Sequence, residues 1–402
     1  MRRDSRGGDW RKALRALDGM KRLPRELFDQ KSYCMAITAC GRGGQWEQAV
    51  ELPREIPTAG LSPNVITYNA VIAACAKGEQ WKEALALLKE MTAVGLTPNV
   101  ISYNSAIDAC SKGGQWKEAL ALLKEMTAVG LTPDVITYSS AVDACAKGEQ
   151  WKEALALLKE MTAVGLTPNV ISYNAAISAC PFSARKKGEQ WKEALALLKE
   201  MTAVGLNPDV ISYNAAISAC AKGERWKEAL ALLTEMAAVG LTPDVVSYSA
   251  AISACAKGEQ WKEALALLKE MTAVGLTPGV ISYSAAISAC AKGEQWKGVL
   301  ALLKEMTAVG LTPDVTTYNS VIDACAKGGQ WKEALALLEE MAAVGLTPNV
   351  ITYNSAIDAC SKGGQWKEAL ALLKEMTEMR ELGVVPDVIT YHALMVTCVN
   401  YD

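Results

Sequence analysis

The chain is poor in the residues that most chemistry requires. It has one histidine and two phenylalanines in 402 residues, no Cys-x-x-Cys, and no apolar run of 18 residues. With His392 alone and no paired cysteines, a metal site lacks ligands at usable spacing. Without a long apolar run there is no candidate transmembrane helix. Charge excess is missing too: 41 basic against 44 acidic side chains leave a formal −3. No global basic surplus announces a nucleic-acid partner, so an electrostatic footprint must come from how charges are sorted between faces.

What the chain does have is repetition. All eleven tryptophans hold one place in a recurring unit: Trp10, Trp46, Trp81, Trp116, Trp151, Trp191, Trp226, Trp261, Trp296, Trp331 and Trp366. Residues 65–99, VITYNAVIAACAKGEQWKEALALLKEMTAVGLTPN, are one such 35-residue unit, and most of the protein copies it. Self-similarity at this period marks a solenoid, which overrules any domain count taken from length. Of the twelve cysteines, eleven share a second place in the unit. Packed helices lie roughly 8–10 Å apart, beyond the ~7 Å limit for a bridge. The cysteines therefore read as small core residues in a reducing compartment.

Each unit reads as two helices. Tyr68, Val71, Ile72 and Cys75 recur at helical spacing and form one apolar face. Asn or Asp after Thr-Pro is suited to cap the start. Gly78 is expected to end the first helix in the left-handed backbone of a C-terminal cap. The second helix begins near Gln80, with Trp81, Ala84, Leu85, Leu88 and Met91 on its buried side, and Gly95 stops it. Neither helix buries its stripe alone; stacked neighbours bury them together. The expected fold is all-α: a right-handed α-solenoid superhelix of about ten helix-turn-helix units, with half-repeats at the ends.

Irregularities punctuate the array. Residues 1–9 are polar and are expected to form a disordered tail, with a single array over 10–402. Pro53 and Pro57 should distort or shorten the second helix of the first full unit. An insertion after Cys180 (PFSARKK) should form an exposed loop, either tolerated or a contact site using Phe182 and Arg185. Three extra residues within 377–383 are expected to extend a second helix by about one turn. Leu394, Met395 and Val396 are expected to lie uncovered in the final helix, which would then meet a partner or continue into further chain. Arginines near the N-terminus (Arg2, Arg3, Arg6, Arg11, Arg15) are interrupted by Asp4, Asp9 and Asp18, so no convincing transit peptide is seen.

The unit resembles a pentatricopeptide repeat of the plain, 35-residue type. The resemblance rests on V-x-[ST]-Y-[NS], A-C-x-K-G, W-K-E-A-L-x-L-L-x-E-M and G-L-x-P-[ND], over roughly residues 10–402. A tetratricopeptide repeat would place Trp and Tyr in its first helix; here Trp lies in the second. The resemblance implies a single-stranded RNA-binding protein of mitochondrion or chloroplast that reads one base per repeat in transcript processing, stabilisation or translation. It implies a monomer with no catalysis, no cofactor, no metal and no membrane association, and it allows recruitment of an RNA-processing enzyme. The alternative is a protein–protein scaffold. The motifs of the family's zinc deaminase domains, H-x-E and C-x-x-C, are missing from this sequence, and there is no room for a nuclease domain.

By resemblance, the residue after the repeat Tyr projects into a groove and acts with the last residue of its unit. The implied base-reading pairs are Asn69/Asn99, Asn104/Asp134, Ser139/Asn169, Asn174/Asp209, Asn214/Asp244, Ser284/Asp314, Asn319/Asn349 and Asn354/Asp387. Two further pairs, Cys34/Asn64 and Ser249/Gly279, leave their bases unassigned. In such families Asn/Asp favours uracil, Asn/Asn pyrimidines, hydroxyl/Asn adenine and hydroxyl/Asp guanine. The implied target is ?-Y-U-A-U-U-?-G-Y-U. Helix capping alone would also account for the terminal Asn or Asp. Base-sandwiching falls to Ile66, Ile101, Ile136, Ile171, Ile211, Val246, Ile281, Ile351 and Ile389, with Thr316 departing; ordinary helix-start packing is the alternative. Phosphate binding falls to Lys77, Lys112, Lys147, Lys222, Lys257, Lys292, Lys327 and Lys362; solvated helix ends favoured by the C-terminal dipole are the alternative. Eight neutralised phosphates would give a logarithmic salt slope of roughly −6.

Overall fold

The computed structural model describes residues 10–21, 30–180, 190–379 and 383–400. The expected tail over 1–9 and the insertion with Phe182 and Arg185 lie outside them. Among the described residues the fold is all-α, without strands.

Two compact units are present, residues 1–208 and 209–402. The first holds α1 (Trp10–Met20), α2 (Gln30–Arg42), α3 (Trp46–Glu55), α4 (Val65–Lys77), α5 (Trp81–Ala93), α6 (Val100–Lys112), α7 (Trp116–Ala128), α8 (Val135–Lys147), α9 (Trp151–Ala163), α10 (Val170–Ser178) and α11 (Gln190–Ala203). The second holds α12 (Val210–Lys222), α13 (Trp226–Ala238), α14 (Val245–Lys257), α15 (Trp261–Ala273), α16 (Val280–Lys292), α17 (Trp296–Ala308), α18 (Val315–Lys327), α19 (Trp331–Ala343), α20 (Val350–Lys362), α21 (Trp366–Glu378) and α22 (Val388–Asn400). Within each unit, first helices of successive repeats pack on one another. Each second helix packs on its own first helix and on the first helix of the next repeat. Each unit is thus an α-solenoid.

The expected stripe of the first helix is buried: Tyr68, Val71, Ile72 and Cys75 are at most 3% exposed. In the second helix Ala84, Leu87, Leu88 and Met91 are buried, while Leu85 and Trp81 are only half-buried. The tryptophan therefore belongs to the seam between repeats rather than to the core. The indole of Trp81 covers Gly113 of the next repeat, and the Lys82 ammonium sits 5.5 Å from the ring centroid.

That contact corrects the role expected of Gly78. Gly78 has φ −84°, not a left-handed value, and Glu79 behind it carries φ +60°. The helix does end in a left-handed cap, with Gln80 N–H donating to Cys75 O at 2.9 Å and Glu79 N–H to Ala76 O at 3.3 Å. Its left-handed residue is the one after the glycine. What requires glycine at 78 is the Trp46 ring, since a Cβ there would lie 2.8 Å from Cγ and closer still to Cδ1. Gly95, with φ +80°, ends α5 as expected.

A tie that sequence reading missed holds the two helices of each repeat together. The Tyr68 hydroxyl donates to Glu90 Oε1 at 2.9 Å, and the same pair recurs from Tyr103–Glu125 to Tyr353–Glu375. Burial first, then the neighbouring carboxylate, pushes the Tyr68 pKa up to about 12.

Pro53 acts as expected: α3 stops after 10 residues and a 3-10 turn, Pro57–Ala59, follows. Helix α21 spans 13 residues, Trp366–Glu378, and the expected extension over 377–383 falls largely outside the described residues. Three of the residues there, 380–382, lie outside the described set. Leu394 is 7% exposed, contrary to expectation, while Met395 is 61% exposed; the Val396 side chain is not among those described. The eleven cysteines described are free, and all but Cys34 are buried.

Candidate nucleic-acid interface

The first turn of each first helix carries an aliphatic side chain that the core does not take up. Ile66, Ile101, Ile136, Ile171, Ile211, Val246, Ile281, Ile351 and Ile389 are 55–70% exposed. Thr316 is exposed at the equivalent place.

One helical turn on sit the residues that follow the tyrosines. Asn69, Ser139, Asn174 and Ser249 are 7–9% exposed, and Asn104, Asn214, Ser284, Asn319 and Asn354 are half-buried. They form a floor rather than projecting freely as expected. Hydrogen bonds fix them there. Asn69 Nδ2 donates to Asn99 Oδ1 at 3.2 Å, and Ser102 Oγ donates to Asn69 Oδ1 at 2.6 Å. The same triangle joins Asn104, Asp134 and Thr137; Asn214, Asp244 and Ser247; Asn319, Asn349 and Thr352; and Asn354, Asp387 and Thr390. Ser139, Ser249 and Ser284 instead meet the hydroxyls of Ser172, Ser282 and Thr317 at 2.7–2.8 Å. Asn174 lies in the first unit and Asp209 in the second.

The last residues of the repeats cap helices. Asn99, Asp134, Asn169, Asp209, Asp244 and Asn349 form capping boxes, and Asp314 and Asp387 accept from the N–H three residues on. Gly279 has no side chain to offer α16. Capping occupies one atom of each side chain and holds the other in place. The Nδ2 groups of Asn99, Asn169 and Asn349 have no partner among the described residues, as their Oδ1 atoms make the cap. An asparagine thus presents a donor and an aspartate an acceptor. Burial opposes the Asp134 carboxylate, but bonds from the Thr137 N–H and hydroxyl and the Asn104 amide outweigh it and hold its pKa below the ordinary value. Asp244 is lowered in the same way.

The buried hydroxyl before each tyrosine, such as Ser102 or Thr137, was missed as part of the site. It both completes the cap and buttresses the residue that follows the tyrosine in the preceding repeat. The signal was present, since only Ser or Thr stands there from Thr67 to Thr390.

The eight lysines divide into two groups. Lys112, Lys147, Lys327 and Lys362 pair at 2.6–2.8 Å with Asp108, Asp143, Asp323 and Asp358, one turn earlier on the same helix. Lys77, Lys222, Lys257 and Lys292 have alanine or serine there. Burial, then the like charges of Lys222 and Lys292 against a partial offset from Glu224, lowers the Lys257 pKa. Those three lysines form a cationic run in the second unit.

A repeated helix pair with this cap, tyrosine and glycine placement is matched by two family profiles. One, described as the PPR repeat family, fits residues 63–112, 98–147, 313–362 and 348–400. The other, described as the pentacotripeptide-repeat region of PRORP, fits residues 132–304. The chain belongs to the pentatricopeptide repeat family. The pentatricopeptide repeat protein PPR10 from maize is similar over 98% of this chain, with 27% identity and a TM-score of 0.55. The match spans 60% of the maize protein. PPR10 in complex with an 18-nt psaJ RNA element aligns at 22% identity and a TM-score of 0.37, covering 98% of this chain and 75% of that one. The PPR domain of Arabidopsis thaliana protein-only RNase P 1, in complex with tRNA, aligns at 16% identity and 0.40, covering 46% of this chain and 94% of that one. No curated protein sequence matches the chain. Among the described residues no cluster of metal-ligating side chains occurs, and no helix is long and apolar enough to cross a membrane.

Proposed function

We propose that this pentatricopeptide repeat protein binds single-stranded RNA, one base per repeat, and acts by occupancy rather than catalysis. The observation that carries this reading is the row of exposed aliphatic side chains beside capped Asn and Asp residues whose second polar atom the cap does not use. Exposed Ile66 and Ile101 on successive repeats offer apolar walls for a base face, and one base per helical repeat suits such spacing. The free Nδ2 of an asparagine complements the ring-nitrogen acceptor of adenine or cytosine. The carboxylate of an aspartate complements the ring N–H of uracil or guanine. The proposed target is ?-Y-U-A-U-U-?-G-Y-U. Lys77, Lys222, Lys257 and Lys292 are proposed as the principal phosphate ligands, because the other four lysines already face a carboxylate. By family resemblance the setting is a mitochondrion or chloroplast, in transcript stabilisation, processing or translation, with any RNA-cleaving enzyme recruited. The chain is proposed to act as a monomer.

Selection of bound RNA from a random pool tests the reading. A U-rich motif with an A and a G at the stated places supports it, and a pool enriched for no motif contradicts it. The scaffold reading draws on a second exposed row, Val94, Val129, Val164 and their counterparts at the ends of second helices. A partner retained after nuclease treatment would favour it.

A further inference from the structure

The repeat that ends at Gly279 differs from its neighbours where the base edge would be read. Helix α16 begins there without a side-chain cap, and a Cβ built on Gly279 meets nothing within 4 Å. A cavity of 660 Å³ opens at this place. Val246 and Ile281, 55% and 70% exposed, stand on its sides. Ser249 and Ser282 line it too, with Lys222 and Lys257. Ser249 is consumed internally: its Oγ bonds Val245 O at 2.6 Å and lies 2.7 Å from Ser282 Oγ. The slot therefore keeps apolar walls and cations but offers no free side-chain group from its own reading pair. Its volume lies within the range of small-molecule sites.

Resting on the RNA-binding reading, we propose that this slot holds a nucleotide by wall contact and phosphate charge without selecting its base. It takes a base whose hydrogen-bonding edge carries methyl groups, which slots with Asn or Asp reject. In a capped slot such as Asn214/Asp244, methylation of the uracil ring nitrogen N3 removes the hydrogen on which the carboxylate depends and puts carbon where the side chain stands. In the Ser249/Gly279 slot that space is open.

The test uses the full chain and synthetic RNAs of the proposed target. Each of the four bases, N6,N6-dimethyladenosine and N3-methyluridine is placed first opposite Ser249/Gly279 and then opposite Asn214/Asp244. The six RNAs should bind within about threefold of one another at the first position, whereas N3-methyluridine should cost about tenfold or more against uracil at the second. The variant Gly279→Asn, which restores a cap, should reject dimethyladenosine about tenfold at the first position while keeping unmodified adenine. Preference above about tenfold among the bases at the first position, with discrimination intact at the second, overturns the open slot alone. Indifference at both positions overturns the base-reading assignment beneath it.

Discussion

Trp81 lies on Gly113: the indole of one repeat occupies the space that a side chain would need at the helix end of the next. The same pairing joins Trp46 to Gly78, Trp226 to Gly258 and Trp331 to Gly363. It is a contact between repeats, so its loss should uncouple neighbours. Gly113→Ala should cost about 1–3 kcal/mol through overpacking. Trp226→Ala should cost about 2 kcal/mol, below the 3–5 of a fully buried ring, because the indole is half-exposed. Urea unfolding measures both. A neutral Gly113→Ala would mean the ring does not rest there.

Glutamates stand in left-handed backbone at five helix ends: Glu79, Glu149, Glu224, Glu259 and Glu294, with φ of 57–60°. Other repeats place glycine there, as at Gly114 and Gly329. Left-handed geometry costs a non-glycine residue roughly 1–2 kcal/mol, and glycine's extra chain entropy returns about 0.5–1 of it. Glycine at all five sites should then raise stability by about 3–4 kcal/mol, the sites being far enough apart to add. Thermal unfolding of the five-fold variant checks the sign; a fall in stability would contradict the cap assignment.

The tyrosines and cysteines set the alkaline limit. Burial, reinforced by the neighbouring glutamate, raises Tyr68, Tyr103 and Tyr138 to about 12, and burial raises Cys75 and Cys110 to about 12. Groups with raised pKa values stabilise the fold fully below their unfolded pKa and lose that contribution as pH climbs through the folded one. Stability should therefore hold up to about pH 8.5 and fall steeply between about 9 and 12. Denaturant midpoints across that range measure it, and a flat profile to pH 12 would count against the buried tyrosine–glutamate ties.

Thiol reactivity reads the same burial. Cys34 is the partly accessible cysteine among the eleven described, and the ten others are buried. In a Cys398→Ser background, one thiol should react rapidly with an aromatic disulfide under native conditions, and the rest only after denaturation. Rapid labelling of several thiols would show the stacks open.

Salt dependence distinguishes the two lysine classes. If four lysines release counterions, the logarithmic slope for RNA binding should be about −3, against roughly −6 for eight. Removing Asp108, Asp143, Asp323 and Asp358 as asparagine should steepen it toward the larger value. A slope near −6 in the unaltered chain would mean those carboxylates do not mask their partners.

The period, the helix pair and the Tyr–Val–Ile–Cys stripe were legible in the sequence, because a buried face repeats its residue types every turn. Side-chain partnership was less legible. Gly78 reads as a flexible cap until Trp46 is found against it, and Lys112 reads as a free cation although Asp108 is four residues away. Trp81 falls on the apolar arc of its helix, but periodicity cannot say that its far side faces water. The Asn69–Asn99–Ser102 triangle spans 33 residues, and only stacking of the repeats brings it together.

The central claim is that the polar atom of a capped Asn or Asp that the cap does not use chooses the base. Asp244→Asn tests it most directly, because both residues cap α14 about equally, the Asn214 amide and the cap both fall on Oδ1, and only the outer atom changes from acceptor to donor. Binding of RNAs with uracil or cytosine opposite the Asn214/Asp244 repeat should shift by about tenfold in favour of cytosine, the worth of one such hydrogen bond, with thermal stability unchanged. An unaltered uracil-to-cytosine ratio in a stably folded variant would contradict the account.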